Sequence, residues 1–208
     1  MQITRIERAS KSKPHYHLYA DDALLMTVTE ETLLHFRIHK GLTLSDALQE
    51  EIFAHDQLQR CLEQAYRYLS RRSHFRKELA RKLTTKGYPP HVIEQALDYL
   101  DQKGYLNDHD LMFQFIHDAI RLKQYGPHLI KRKLFERGLD SEEIDAALES
   151  AYPPELQAAT CQRLAIKKWK SLQGLEPSRG RQKLFAFLQQ RGFNSENIQP
   201  VIENLFED

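Results

Sequence analysis

Lysine and arginine recur along this chain in three groups, and their chemistry is that of holding anions. The first group is Arg71, Arg72, Arg76, Lys77, Arg81, Lys82 and Lys86; the second is Arg121, Lys123, Lys131, Arg132, Lys133 and Arg137; the third is Lys167, Lys168, Lys170, Arg179, Arg181 and Lys183. A single basic helix face is ordinarily just a solvated one. Three of them at related positions, each followed by an acidic stretch, suit an extended anionic partner: a nucleic acid, whose phosphates are evenly spaced, or an acidic protein groove.

No residue set suited to transforming a bound group stands beside them. Cys61 and Cys161 each fall within a helical pattern with no second ligand at metal spacing, so buried thiols are expected rather than a disulfide or a zinc site. His15 and His17 share one face of a strand, but no third ligand can be placed and HExxH is absent, which leaves an ordinary surface pair. The phosphate-loop and dinucleotide fingerprints are missing too, and Arg179-Gly180-Arg181 reads as the basic start of a helix. Catalytic residues, metal and cofactor are therefore all expected to be none.

The chain has 208 residues, 41% of them hydrophobic, and a formal net charge of +1. That total hides strong local imbalance. Residues 60–90 carry nine Lys or Arg against two acids, whereas 140–155 carry six acids and no base; 193–208 again carry four acids and no base. No apolar run approaches the roughly 18–20 residues of a membrane span, and no basic-then-apolar leader pattern is present, so the expected location is the cytoplasm.

The elements that must position these cations emerge from a repeat of about fifty residues. Gly87, Gly138 and Gly192 are each preceded by a basic residue (Lys86, Arg137, Arg191) and, four residues back, by Leu83, Leu134 or Leu188. Eight residues back stand Leu79, Ile130 and Leu184. Ile93, Ile144 and Ile198 follow each glycine by six residues, and Leu97, Leu148 and Ile202 by ten. Apolar residues four apart share a helix face, a glycine after the last turn suits a left-handed cap, and a cation there complements the helix dipole. Each glycine thus ends one helix, and Pro89-Pro90, Asp140-Ser141 or Asn194-Ser195 starts the next.

A further helix precedes each pair, over about 56–70, from Asn107/Asp108 to about 122, and from Pro153 to about 171. The N-terminus differs. HYHLYADDALLMTV, 15–28, alternates around an Asp21-Asp22 turn, predicting a hairpin with 2–8 as a further strand. Thr29 should cap a helix that ends before Gly41, and a short helix should start near Ser45.

The fold class is therefore mainly α: tandem three-helix repeats forming an elongated curved array, with a small N-terminal β-hairpin and helix extension. The expected divisions are 1–55 for the extension and 56–104, 105–151 and 152–208 for the repeats. Middle helices are basic and final helices acidic, which predicts a positive stripe separate from a negative one. Phe75, Tyr88, Phe113, Phe115, Phe185 and Phe187 sit at core spacing, while Tyr66, Tyr68, Tyr125 and Trp169 are less constrained.

The stretches YLSRRSHFRKELARKLTTKGY (68–88), KGYLND (103–108) and YGPHLIKRKLFERGL (125–139) together resemble the RecX family of bacterial recombinase regulators. The resemblance spans about 57–208, and 1–56 is similar to the β-containing extension of longer members. It implies a regulator without cofactor that binds RecA and the RecA filament on single-stranded DNA, inhibiting its ATPase, extension and strand exchange; a monomer is expected. The alternative is a helical repeat that binds DNA directly without a recombinase; a membrane is not an expected partner. Two departures stand out. Phe75 occupies a position where family members commonly have a Ser N-cap, leaving Ser73 to cap, and Pro200 interrupts the last helix pattern, predicting a bent or late helix.

Overall fold

The computed structural model describes residues 1–10 and 14–206, which form two compact units, Met1–Leu106 and Asn107–Asp208. Of the acidic C-terminal stretch, Glu207 and Asp208 lie outside the described residues.

The first unit opens with β1 (Arg5–Arg8), β2 (His15–Ala20) and β3 (Ala23–Thr29), an antiparallel sheet in that order. Ala20 pairs with Ala23, and both turn residues are left-handed (Asp21 φ 47°, Asp22 φ 61°), the two-residue hairpin geometry that matches strand twist. Leu18 and Val28 point into a core with Ile3, Ile38, Leu44 and Ile52. Thr29 ends the sheet and caps α1 (Glu30–His35), its side chain accepting from the Thr32 N–H.

Ser45 caps the next helix, accepting from the Leu48 N–H, but α2 (Asp46–Leu69) then runs for 24 residues without a break. The short helix from Ser45 and the helix over 56–70 are one element, since no Gly or Pro falls between 46 and 69 to stop it. Its N-terminal half covers the sheet through Ile52. The C-terminal half puts Cys61, Leu62 and Ala65 into a second core with α3 (Arg76–Thr84) and α4 (Pro90–Gln102).

The second unit holds two more helix triplets. They are α5 (Asp108–Arg121), α6 (Pro127–Phe135) and α7 (Ser141–Ala151), then α8 (Pro154–Trp169), α9 (Pro177–Gln190) and α10 (Ser195–Phe206). All twelve aligned apolar positions, from Leu79 to Ile202, are buried. Gly87, Gly138 and Gly192 have φ of 86°, 94° and 93°. Each closes its helix the same way: the following N–H (Tyr88, Leu139, Phe193) returns to the carbonyl five residues back (Leu83, Leu134, Leu188).

Two helix starts depart from expectation. Ser73 does not cap α3; Phe75 holds the N-cap position with no side-chain hydrogen bond and is buried, so packing replaces the cap. Nor does α10 begin late. It starts at Ser195, Asn194 accepts from the Asn197 N–H at 2.9 Å, and Pro200 sits inside it at the loss of one backbone donor.

One joint inside the second unit explains the Tyr125-Gly126-Pro127 spelling. Gly126 N–H donates to Arg191 O at 2.7 Å and His128 N–H to Gly192 O at 3.1 Å, so the start of α6 meets the end of α9. Donors at a helix N-terminus and carbonyls at a C-terminus satisfy one another there. A Cβ on Gly126 would lie 2.4 Å from the Gly192 carbonyl, which leaves no room for any other residue, and Pro127 needs no N–H at that first position.

Candidate functional site

In the first repeat, the turn after α2 carries Arg71 and Arg72. The Arg72 guanidinium grips the Glu78 carboxylate and donates to Ser73 O. Arg76, on the first turn of α3, reaches Glu94 and Asp98 of α4, the latter at 2.6 Å. Lys82 Nζ lies 5.1 Å from the centre of the Tyr68 ring. Arg71, Lys77, Arg81 and Lys86 are exposed.

The second repeat behaves similarly. Lys131 of α6 donates to Asp145 of α7 at 2.5 Å, and Arg132 pairs with Glu136 at 3.8 Å. Lys133 stands over Tyr125, while Arg137 lies 4.7 Å from the Phe115 centroid and donates to Lys133 O. Arg121 and Lys123 are exposed at the end of α5. In the third repeat Lys168 sits over Phe187 and Arg181 over Phe206, with Lys167, Lys170, Arg179 and Lys183 exposed.

The expected separation of positive and negative stripes therefore fails in the first two repeats. Glu94 and Asp145, each seven residues beyond the repeat's glycine, fold their carboxylates back onto a middle-helix cation. In the third repeat that position is Gln199, which cannot do so. Such exposed pairs are worth little to stability, but they neutralise part of the surface.

Lys123, the adjacent Lys167 and Lys168, and Arg191, from three points in the sequence, meet in one cleft of the second unit. Arg191 was legible only as the basic residue before a glycine, and Phe187, at core spacing, is a half-buried wall of the same cleft. Tyr66, Tyr68, Tyr125 and Trp169 are likewise half-buried rather than open.

The titratable groups explain what the rest of the chain does chemically. Burial pushes the Cys61 thiol up to about 11 and the Cys161 thiol to about 12, so both stay protonated and unreactive near neutrality. His15 faces Glu63 at 3.3 Å and His17 bonds Thr27 Oγ1 at 2.8 Å, so the two rings serve separate partners. Among the described residues no group of three or more His, Cys, Asp or Glu is placed to hold a metal ion, and no helix is long and apolar enough to cross a membrane.

Three family models match in register with the helix triplets: the first three-helix domain of RecX over 61–100, the second over 107–148 and the third over 155–202. The chain belongs to the RecX family. A regulatory protein RecX from Listeria monocytogenes is 31% identical over 94% of this chain and 72% of its own length; another, from Streptococcus agalactiae, is 29% identical over 99% and 77%. A crystal structure of a regulatory protein RecX superposes with a TM-score of 0.74 at 28% identity, covering 96% of this chain and 98% of the other. The RecX structure from Lactobacillus salivarius shares the fold, with a TM-score of 0.65 over 74% of this chain.

Within this RecX-family regulator, acid should weaken the first repeat. Burial would raise the Glu78 carboxyl, but Arg72 holds it below its ordinary 4.5, so its contribution is present above that pH and fades as pH falls through it. Burial holds His74 below its ordinary 6.5, so the unfolded chain takes up that proton first and stability drops as pH falls past 6.5. Both signs agree. Circular-dichroism melts should show Tm falling from pH 7.5 to pH 5, with a shallower fall in His74→Gln.

Proposed function

We propose that this chain binds the RecA recombinase and its filament on single-stranded DNA, inhibiting ATP hydrolysis, filament extension and strand exchange. Membership of a family of regulators named RecX carries this reading. The arrangement of charge supports it: each repeat presents exposed cations on a scaffold of buried apolar residues, as a partner with a polyanionic surface requires. The regulator acts as a monomer in the cytoplasm, by occupancy rather than by chemistry. Its repeats are 56–104, 105–151 and 152–208, and its contacts are the basic side chains of the middle helices and their flanking turns.

Arg72, Arg76 and Lys131 hold carboxylates of their own repeat, so changing them would confuse binding with packing. Arg71, Lys77, Lys86 and Lys183 are exposed and, among the described residues, make no ion pair, so alanine at each should cost less than about 0.5 kcal/mol. The quadruple variant is expected to keep its helical circular dichroism and to need at least about tenfold more protein to inhibit RecA ATPase on single-stranded DNA. Failure of the unaltered chain to inhibit would overturn the function; unchanged inhibition by the variant would overturn the basic surface. Measuring on preformed filaments and again during assembly separates disassembly from blocked growth.

A further inference from the structure

The cleft between the α5–α6 turn, α8 and the end of α9 encloses about 360 Å³. Four cations line it, Lys123, Lys167, Lys168 and Arg191, and its lining contains no Asp or Glu. That contrasts with Arg76 and Lys131, middle-helix cations that carboxylates of the following helix answer. The Gly126–Gly192 joint creates it, because locking the end of α9 to the start of α6 brings Arg191 against Lys123, whose carbonyl accepts from the Arg191 guanidinium.

Arg191 is also held as a ligand group should be. Its guanidinium lies 5.2 Å from the Tyr125 ring centre and 5.9 Å from that of Phe187, so its plane is fixed before anything binds. Its Nε is buried and, among the described residues, has no hydrogen-bond acceptor. A buried donor left unmade costs about 1–3 kcal/mol.

We propose that this cleft binds backbone phosphates of single-stranded nucleic acid. Four cations from three elements exceed what one carboxylate needs, whereas a strand delivers successive phosphates along the cleft. The apolar surface beside them fits the bases: Phe187 forms a wall, and Leu122, 64% exposed at the rim, is a hydrophobic side chain otherwise left in water. The strand contact is thus made between the second and third repeats, and it uses none of Arg71, Lys77, Lys86 and Lys183, the side chains that test the recombinase surface. The site goes beyond the recombinase reading and is tested without RecA, so either can fail alone.

The test is fluorescence anisotropy of a labelled oligothymidylate with the full chain, beside the variant Lys123→Glu/Lys167→Glu and a charge-matched control, Lys40→Glu/Lys103→Glu. The cleft variant should bind at least about tenfold more weakly, and the control within about threefold of the unaltered chain. In parallel, the ¹⁵N resonance of Arg191 Nε–H, assigned by its loss in Arg191→Lys, should shift on adding the oligomer. Equal loss in the control, an unmoved Arg191 signal, equal binding of ATP, or displacement by polyglutamate of equal charge would each overturn the site.

Discussion

A single methyl group added at Gly192 is expected to destabilise the Asn107–Asp208 unit by about 2–5 kcal/mol, the sum of two separable penalties. Gly192 has φ +93°, where an L-residue costs about 1–2 kcal/mol. Its Cβ would also lie 2.4 Å from the backbone nitrogen of Leu129, and forcing packed backbones apart costs about 1–3 kcal/mol. Gly87→Ala is the natural comparison, since φ is +86° but nothing lies within 4 Å of the new carbon. It should lose only the conformational part. Gly126 has no left-handed strain, so Gly126→Ala isolates the clash, and the Gly126→Ala/Gly192→Ala pair should be less than additive because both open one joint. Urea denaturation reads all four. Equal midpoints for Gly192→Ala and Gly87→Ala would show that the joint opens freely.

Those glycines also show why so much of this fold could be read from the chain. A left-handed cap, a leucine four residues before it and an isoleucine six after it are local requirements, and they recur because each repeat solves the same packing problem. All twelve apolar positions chosen on that basis are buried. What depended on distant partners was not legible. Asp56 reads as a helix boundary; its burial against the sheet makes it an interior residue of α2, joining the extension to the first repeat. Glu94 and Asp145 read as members of a separate acidic face, because nothing local says that α4 and α7 turn those carboxylates toward α3 and α6. Arg191 differs from Lys86 and Arg137 only in what the Gly126–Gly192 contact brings near it, so spacing could not mark it as a cleft residue.

Asp56 is where the second large effect is expected. Its carboxylate, 5% exposed, accepts the Thr29 N–H at 2.6 Å and Arg60 Nε at 2.5 Å, while Arg60 also donates to Thr27 O at 2.5 Å. Together the pair ties the outer edge of β3 to α2. Asp56→Ala would leave the Thr29 N–H buried without an acceptor and Arg60 without its counter-charge, a loss of about 3–5 kcal/mol. Asp56→Asn keeps an acceptor for Thr29 and should lose less; Asp56→Ala/Arg60→Met, which removes both charges, should recover part of the loss. Releasing β3 would also bare a strand edge, so light scattering from Asp56→Ala should rise on warming before that of the unaltered chain. Because α2 continues to Leu69, loosening its first half also withdraws support from Cys61, Leu62 and Ala65 in the core of the first repeat. Sheet and repeat should therefore melt together in Asp56→Ala, at a lower temperature than in the parent; a sheet that melts alone, with the repeat unmoved, would refute the view that this helix makes them one cooperative unit.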